Sequence, residues 1–183
     1  MSSSGYSDDE LLKWIKDPEH FNYGFNLLMR QYREELYWFI RKMLLSHDDS
    51  DDVLQDSFIK VYHNILKFRA ESSIETWLYS IAYRTSIDFL KKKQRRMMIP
   101  IYSMSEVLES QLKADPYFDG DEAEKKLQQA LAKLPDRQRE VFILSYFEEM
   151  PLKEVAHILD LSLGAVKASA HLAREKIKKF IED

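Results

Sequence analysis

Positively charged side chains concentrate in two short stretches of a chain whose net charge is −4. Residues 84–96 and 167–179 hold eleven of the 27 Lys and Arg residues, and each stretch contains a single acidic residue. Because Lys and Arg neutralise phosphates, such clusters indicate either contacts with nucleic acid or two solvated helix faces. The negative net charge argues against a protein that coats nucleic acid through bulk charge.

A pair of predicted helices contains the second basic stretch. They cover about 151–159 and 163–181, and Ser162 can cap the second by accepting a backbone N–H. Apolar residues spaced four, three and four apart predict the buried stripe of a helix-turn-helix: Val166, Ala170, Ala173 and Ile177. Rotation of about 100° per residue turns other residues outward, toward the bases and phosphates of a duplex: Lys167, Ala168, His171, Arg174 and Lys178. An ordinary helical hairpin is the alternative.

Aromatic residues accompany the first basic stretch. Residues 68–73 form a predicted loop whose last residue can cap a long helix over about 74–93. On this helix Tyr79 and Tyr83 lie four residues apart and are predicted to share an outer face, whereas Trp77 is predicted to lie at least partly in the core. Bases stack on rings while cations hold phosphates, so the pattern favours single-stranded nucleic acid. The alternative is that the rings are simply core residues.

An acidic run occupies residues 48–52 and is followed by Gln55 and Asp56. A calcium loop is excluded, because the glycine and the distal glutamate of an EF-hand are missing. The remaining interpretations are a solvated acidic helix start and a docking face for a basic partner. After a turn, Ser50 is predicted to cap a helix over about 51–67.

The composition excludes several classes of protein. The absence of Cys excludes a disulfide scaffold, a thiolate zinc site and a Cys nucleophile. The chain has neither a Gly-rich phosphate loop nor a nucleophile–base pair, and its five His residues are scattered, so we expect no catalysis, no metal and no cofactor. No apolar run reaches about 18 residues and no signal-peptide pattern is visible, so we expect a soluble, cytoplasmic protein.

Helical periodicity predicts an all-α fold of two small helical domains, over residues 1–93 and 122–183. A capping box at Ser7 starts a short first helix, and a long helix follows over about 20–46. Residues 94–121 contain two prolines and a glycine with no clear apolar period, which predicts an extended linker. Helices resume at about 122–133 and 136–147.

Four ordered segments resemble bacterial RNA polymerase sigma factors of the extracytoplasmic-function class (group 4, sigma-70 family). The segment DDVLQDSF at 51–58 resembles region 2.2, and FRAESSIETWLYSIA at 68–82 resembles regions 2.3–2.4. LPDRQREVF at 134–142 resembles region 4.1, and residues 154–175, with EVA, GAVK and ARE, resemble region 4.2. The missing sigma-3 domain and the short linker point to group 4.

The resemblance implies a sigma-2 domain and a sigma-4 domain with three sets of contacts. The β′ clamp helices of core polymerase are expected to bind Asp52, Gln55, Asp56 and Phe58. The melted −10 element, with a flipped non-template base, is expected to contact Phe68, Arg69, Ser72, Ser73, Trp77, Tyr83, Arg84 and Lys91. The duplex −35 element is expected to contact Lys167, Ala168, His171, Arg174 and Lys178.

The resemblance also implies further partners: the β flap of the polymerase and an anti-sigma factor, with no small-molecule substrate. Members often carry Arg where this chain has Ser169 and Leu172, so −35 binding should depend more on the remaining cations. Leu163 and Leu172, if exposed, would meet the anti-sigma factor. The acidic linker is expected to run toward the RNA exit path. The alternative is a self-contained helix-turn-helix regulator that binds duplex DNA without polymerase.

Overall fold

The computed structural model describes residues 5–96, 104–114 and 122–182, which form helices and loops with no strand among them. This confirms the predicted all-α fold. A 3-10 turn over Ile65–Lys67 follows α3, and a π-helical segment over Ile143–Phe147 follows α7. The α-helices in these residues are α1 (Asp8–Lys16), α2 (Phe21–Leu44), α3 (His47–Asn64), α4 (Ile74–Arg96), α5 (Met104–Ala114), α6 (Glu122–Lys133), α7 (Asp136–Phe142), α8 (Leu152–Leu159) and α9 (Leu163–Glu182).

The helix-turn-helix consists of α8, which spans Leu152–Leu159, and α9. Asp160 ends α8 in the left-handed conformation (φ 54°), and the N–H of Leu161 returns to the carbonyl of Ala156 at 2.9 Å. Ser162 caps α9 as predicted, because its Oγ accepts from the N–H of Ala165 at 3.2 Å. The predicted apolar stripe of α9 is confirmed as buried, at Val166, Ala170, Ala173 and Ile177.

Helix α3 begins four residues earlier than predicted. Ser46 is its N-cap and accepts from the N–H of Asp49, while Ser50 lies buried inside the first turn and donates its hydroxyl to the carbonyl of Ser46 at 2.5 Å. The predicted turn through residue 50 is therefore wrong. Ser46 offers the same capping oxygen, and a start at His47 places Asp48 and Asp49 in the positive first turn of the helix.

Part of the segment predicted as an extended linker is helical. Its residues 104–114 form α5, in which Val107 and Leu108 are fully buried and Gln111 is nearly so. The Gln111 amide donates to the Asp49 carboxylate at 2.7 Å, and Lys93 of α4 contacts the same carboxylate. So few buried positions do not produce a helical period that can be recognised in the sequence. Residues 97–103 and 115–121 of the predicted linker lie outside the described residues.

Two bundles of helices pack against each other across α4. The N-terminal bundle (α1–α4) and the C-terminal bundle (α6–α9) contribute to one apolar cluster, which includes Leu78 of α4 and Val155, Ile158 and Leu159 of α8. A second cluster, around Leu131, joins α6, α7 and α9. The two parts of the sequence predicted as separate domains therefore share buried surface.

Polar side chains connect the two bundles near the end of the π-helical segment. The Glu148 side chain is only 8% exposed; it accepts from Lys42 Nζ of α2 at 2.8 Å and from the Tyr79 hydroxyl of α4 at 2.9 Å. The Thr76 hydroxyl of α4 donates to Glu154 of α8 at 2.6 Å. Each of these carboxylates is thus held by groups on the other bundle.

The predicted outer face for Tyr79 and Tyr83 is wrong. The two residues are 3% and 9% exposed, because the C-terminal bundle covers this side of α4. Burial raises the pKa of the Tyr79 phenol, and the nearby Glu148 carboxylate raises it further. Burial likewise raises the pKa of Tyr83, with Glu140 contributing.

We expect Lys42→Met to lower Tm by about 3–8 °C. Leaving a buried carboxylate without its charged partner lowers the free energy of unfolding by about 1–3 kcal/mol, and the chain size sets how far Tm shifts. Thermal unfolding followed by circular dichroism measures the change. Lys178→Met is the matched control, because its ion pair with Glu182 spans 3.8 Å between exposed side chains. The double variant Lys42→Met/Glu148→Gln should recover part of the loss. Equal Tm values for Lys42→Met and Lys178→Met would contradict a stabilising contact between Lys42 and Glu148.

We also expect Glu75→Gln to raise Tm at pH 7 by about 1–2 °C. Partial desolvation raises the pKa of Glu75, although the residue is exposed, and four carboxylates raise it further: Glu35, Glu154, Asp8 and Glu148. A raised pKa in the folded state means that stability falls as pH rises from the ordinary value of 4.5 through the folded value. The gain from Gln should therefore shrink as the pH approaches 4.5. The same substitution at the exposed Glu175 of α9 is the control, and a gain that is independent of pH would refute the carboxylate repulsion.

Candidate nucleic-acid interface

The outward side of α9 carries the residues predicted to contact duplex DNA. All five predicted residues are exposed, while the buried stripe of α9 faces α7 and α8: Lys167, Ala168, His171, Arg174 and Lys178. Gly164, Ala165 and Ala168 keep the first half of this face slim, so the helix can approach the bases in a major groove about 12 Å wide. We call this set of residues the α9 face. It can supply cations to phosphates and side chains to base edges.

Two exposed leucines lie beside the α9 face. Leu163 is 36% exposed and Leu172 is 47% exposed. Exposure was the condition for the predicted contact of these leucines with an anti-sigma factor. They are nine residues apart, however, so they project from opposite sides of the helix. The two leucines therefore do not form one continuous apolar surface on α9.

The entry loop (residues 68–73) leads into α4 and carries several of the predicted single-strand contacts. The Phe68 ring lies 5.3 Å from the Trp77 ring, and both residues are half-buried against the core. Arg69 and Ser73 are exposed, and Ser72 is half-buried. Ser73 caps α4 as predicted, since its Oγ accepts from the N–H of Thr76 at 3.0 Å.

A cationic stripe continues from the entry loop along α4. Trp77, Arg84 and Lys91 recur every seven residues, so they follow nearly one line along the helix at steps of about 10 Å. Arg84 and Lys91 are exposed. Tyr83 does not belong to this surface, because it is buried with its hydroxyl 3.5 Å from Arg137 Nη1. The structure thus brings seven of the eight predicted −10 residues to the entry loop and this stripe.

The acidic face of α3 contains three of the four residues predicted to bind polymerase. Asp52, Gln55 and Asp56 are exposed, but Phe58 is 6% exposed and packs in the core. Phe58 therefore does not belong to this exposed face, because its position on the helix turns it inward. Ile59, which is 49% exposed, continues the acidic face one turn further. Ile59 was not predicted from the sequence, although its spacing of three from Asp56 was an available signal.

The described residues show no arrangement that would bind a metal ion or cross a membrane. Among them, no group of three or more His, Asp or Glu side chains could hold a metal. No helix in the described part of the chain is long and apolar enough to span a bilayer. The exposed surfaces differ instead in charge: the α9 face and the α4 stripe are cationic, whereas the α3 face is anionic. Such surfaces suit partners of opposite charge.

Comparison with known proteins identifies two family regions, one in each bundle. The family model described as "Sigma-70 region 2" matches residues 28–96, and the one described as "Sigma-70, region 4" matches residues 124–177. The chain is 33% identical to the ECF RNA polymerase sigma factor SigW of Bacillus subtilis, over 83% of this chain and 86% of that protein. It is 34% identical to the RNA polymerase sigma factor YlaC of the same organism, over 83% and 88%.

A solved structure shares the fold. It is the sigma factor RpoE of Bartonella quintana in complex with the anti-sigma factor NepR, with a TM-score of 0.68 and 19% identity over 86% of this chain and 96% of that one. The two sigma-70 regions cover α3, α4 and the part of α9 up to residue 177. On the family matches and the identity to its relatives, the chain belongs to the extracytoplasmic-function (ECF) group of sigma-70 family RNA polymerase sigma factors.

Proposed function

We propose that this sigma factor binds core polymerase through α3 and recognises a promoter at two separate elements. The −10 element is bound by the entry loop and the α4 stripe, and the −35 element is bound by the α9 face. The observation that carries the proposal is the presence of one exposed cationic surface on each bundle, both within the family-matched regions except for Lys178, which follows the region 4 match directly. Polymerase performs the chemistry, and the sigma factor supplies positioning, melting and specificity.

At the −10 element, the entry loop offers rings and cations to a single strand. A base that leaves the duplex loses a few kcal/mol of stacking and pairing. Stacking on an aromatic side chain returns about 1–3 kcal/mol per base, which Phe68 and Trp77 can supply. Arg69 beside the rings, with Arg84 and Lys91 further along α4, can hold the phosphates of the strand. Capture of an unstacked base by these groups would stabilise the melted promoter.

At the −35 element, the α9 face would enter the major groove. Lys167 can reach guanine acceptors or phosphate, and Ala168 can contact a thymine methyl group. His171 can contact a base edge or a phosphate, while Arg174 and Lys178 suit phosphates. Because Ser169 and Leu172 carry no charge, the electrostatic part of −35 binding falls on these remaining residues.

The acidic face of α3 suits the β′ clamp helices of core polymerase. Asp52, Gln55 and Asp56 can pair with basic and polar groups, and Ile59 can add apolar contact beside them. We infer a further contact between the C-terminal bundle and the β flap. We also infer a cytoplasmic location, since core polymerase and promoter DNA lie in that compartment.

An anti-sigma factor is the regulatory partner that we infer. The structural relative RpoE is itself bound to an anti-sigma factor, NepR. In this chain, Leu163 and Leu172 are exposed apolar residues on either flank of α9, where a partner protein could cover them. A partner that contacts both leucines must reach around the helix, because the two side chains project in opposite directions.

We expect Asp52→Lys to reduce affinity for core polymerase at least tenfold, because it places a cation in the anionic α3 face. Run-off transcription on fragmented DNA from the host, with sequencing of the 5′ ends, tests this expectation and the proposed function together. The wild-type chain should create discrete new starts that share −35 and −10 elements, and Asp52→Lys should create none. Asp9→Lys, an equal change of charge on the exposed side of α1, is the control.

Circular dichroism must show that the Asp52→Lys variant keeps its helices. Normal transcription by this variant would refute docking through α3. Tight binding of promoter duplex by the wild-type chain without core polymerase, together with no new starts, would favour the self-contained helix-turn-helix regulator instead.

We expect Lys167→Ala to weaken binding of the polymerase holoenzyme to a promoter about fivefold, since it removes one contact to phosphate or base. If the contact is to phosphate, the slope of log affinity against log salt concentration should also decrease in magnitude by about one. Fluorescence anisotropy of labelled promoter duplex over a salt series measures both quantities. Lys176→Ala is the matched control, because Lys176 lies about 180° around α9 from Lys167 and is also exposed. Equal losses in the two variants would contradict the assigned face.

A further inference from the structure

The first turn of α4 receives a carboxylate from a distant part of the chain. Asp8, the first residue of α1, accepts a hydrogen bond at 2.8 Å from the backbone N–H of Ile74. Ile74 is fully buried and is the first residue of α4, directly after the entry loop. The first N–H groups of a helix have no partner within the helix and must find one elsewhere. Asp8 meets this need for Ile74, while Ser73 meets it for Thr76.

We infer that Asp8 is a positioning residue for the entry loop and thereby for −10 recognition. This inference rests on the proposed function of the loop. Asp8 is not assigned a contact with DNA, since its carboxylate is engaged with the backbone of α4. Its negative charge lies at the positive end of the α4 dipole, where a carboxylate is stabilised.

The position of Asp8 is itself fixed by packing of the N-terminal segment. The Tyr6 N–H donates to Gln31 Oε1 at 2.9 Å, and Gln31 Nε2 donates to the Tyr6 carbonyl at 3.1 Å, which attaches this segment to α2. Next in the chain, Ser7 forms a capping box with Glu10. These contacts hold the residues on both sides of Asp8.

Close packing of α1 on α2 adds a second restraint. A Cβ atom at Gly24 of α2 would lie 2.7 Å from the Trp14 Cβ and 2.8 Å from the Ile15 nitrogen of α1. Glycine at this position therefore lets the two helices touch through their backbones. Leu11 and Ile15 of α1 are buried at this contact. Asp8 thus belongs to a rigidly placed helix.

The entry loop needs such support at its α4 end. Its other end is held by the 3-10 turn, where the Phe68 N–H donates to the Ile65 carbonyl at 3.1 Å. Between the two ends, Ala70 adopts a left-handed backbone conformation with φ 55°, which is unfavourable for a residue with a side chain. Such a conformation persists only where the surrounding structure determines it. Loss of the Asp8 contact would weaken the α4 end of the loop, where the Ser73 cap would remain.

The test compares −10 selectivity among holoenzymes that carry different sigma variants. The probes are promoter duplexes with the sequence found by run-off mapping and the same duplexes with single base changes in the −10 element. We expect Asp8→Ala to reduce the ratio of run-off transcription between them at least threefold. Asp8→Asn, which retains an oxygen acceptor, should keep the wild-type ratio. Asp9→Ala is the control on the same turn of α1 and should also keep it.

A purely structural role is separated by two further readouts. Affinity for core polymerase and for the −35 element should stay unchanged in Asp8→Ala at a temperature where circular dichroism shows a folded chain. If Asp8→Ala does not fold, Asp8→Glu replaces it, since it keeps the charge but moves the carboxylate by one methylene. Unchanged −10 selectivity in the folded variant overturns the inference. Equal losses in Asp8→Ala and Asp8→Asn overturn it as well, because the acceptor would then not matter.

Arg69→Ala separates this inference from the proposed function. If Arg69→Ala lowers −10 binding while Asp8→Ala keeps the wild-type selectivity, the loop binds the −10 element and only the positioning role fails. If neither variant changes any property of −10 recognition, the proposed function of the loop fails, and the inference fails with it.

Discussion

Helix α4 is buried from two directions, and the placement of the α4 stripe depends on that burial. The N-terminal bundle packs on one side of it, and the C-terminal bundle covers Tyr79 and Tyr83 on another. The side left exposed carries Arg84 and Lys91. A helix packed in this way has little freedom to rotate, because rotation would expose apolar residues on one side and bury charges on the other. The α4 stripe is therefore set by the core as much as by its own residues.

Carboxylates gather around the first turn of the same helix. Asp8 accepts from its first N–H, Glu75 lies in its first turn, and Glu154 accepts from Thr76. The positive end of the helix favours each of them, whereas their mutual repulsion opposes the arrangement. Desolvation is the main cause of the raised pKa of Glu75, and repulsion from neighbouring carboxylates adds to it.

The sequence predicted best the features that depend on local spacing. The buried stripe and the outward residues of α9 follow from one helical period and one cap, and the structure confirms both. Features that depend on distant parts of the chain were missed. The burial of Tyr79 and Tyr83 is caused by a bundle more than 50 residues further along the sequence, and no pattern in the sequence of α4 predicts it. The start of α3 was misplaced because Ser46 and Ser50 offer equivalent capping groups.

The residues of the candidate site also fall into two groups: those predictable from local spacing and those that depend on packing with other parts of the chain. Exposure of Asp52, Gln55 and Asp56 followed from the acidic run, but the inward direction of Phe58 depends on the packing of α3 against its neighbours. The contact from Asp8 to Ile74 joins residues 66 positions apart, and an acidic residue at a helix start gives no sign of such a partner. Long-range pairing of a backbone donor with a side chain has no periodicity, so it is visible only in three dimensions.

The buried contacts of Glu148 have a thermodynamic consequence for any ligand that binds only when the two bundles are apart. Its apparent affinity equals its intrinsic affinity multiplied by the fraction of molecules with separated bundles. Every 1.4 kcal/mol that favours the packed arrangement reduces this fraction, once it is small, about tenfold. Lys42, Tyr79 and Glu148 would then set the concentration at which such a ligand saturates the protein, although none of them need touch it.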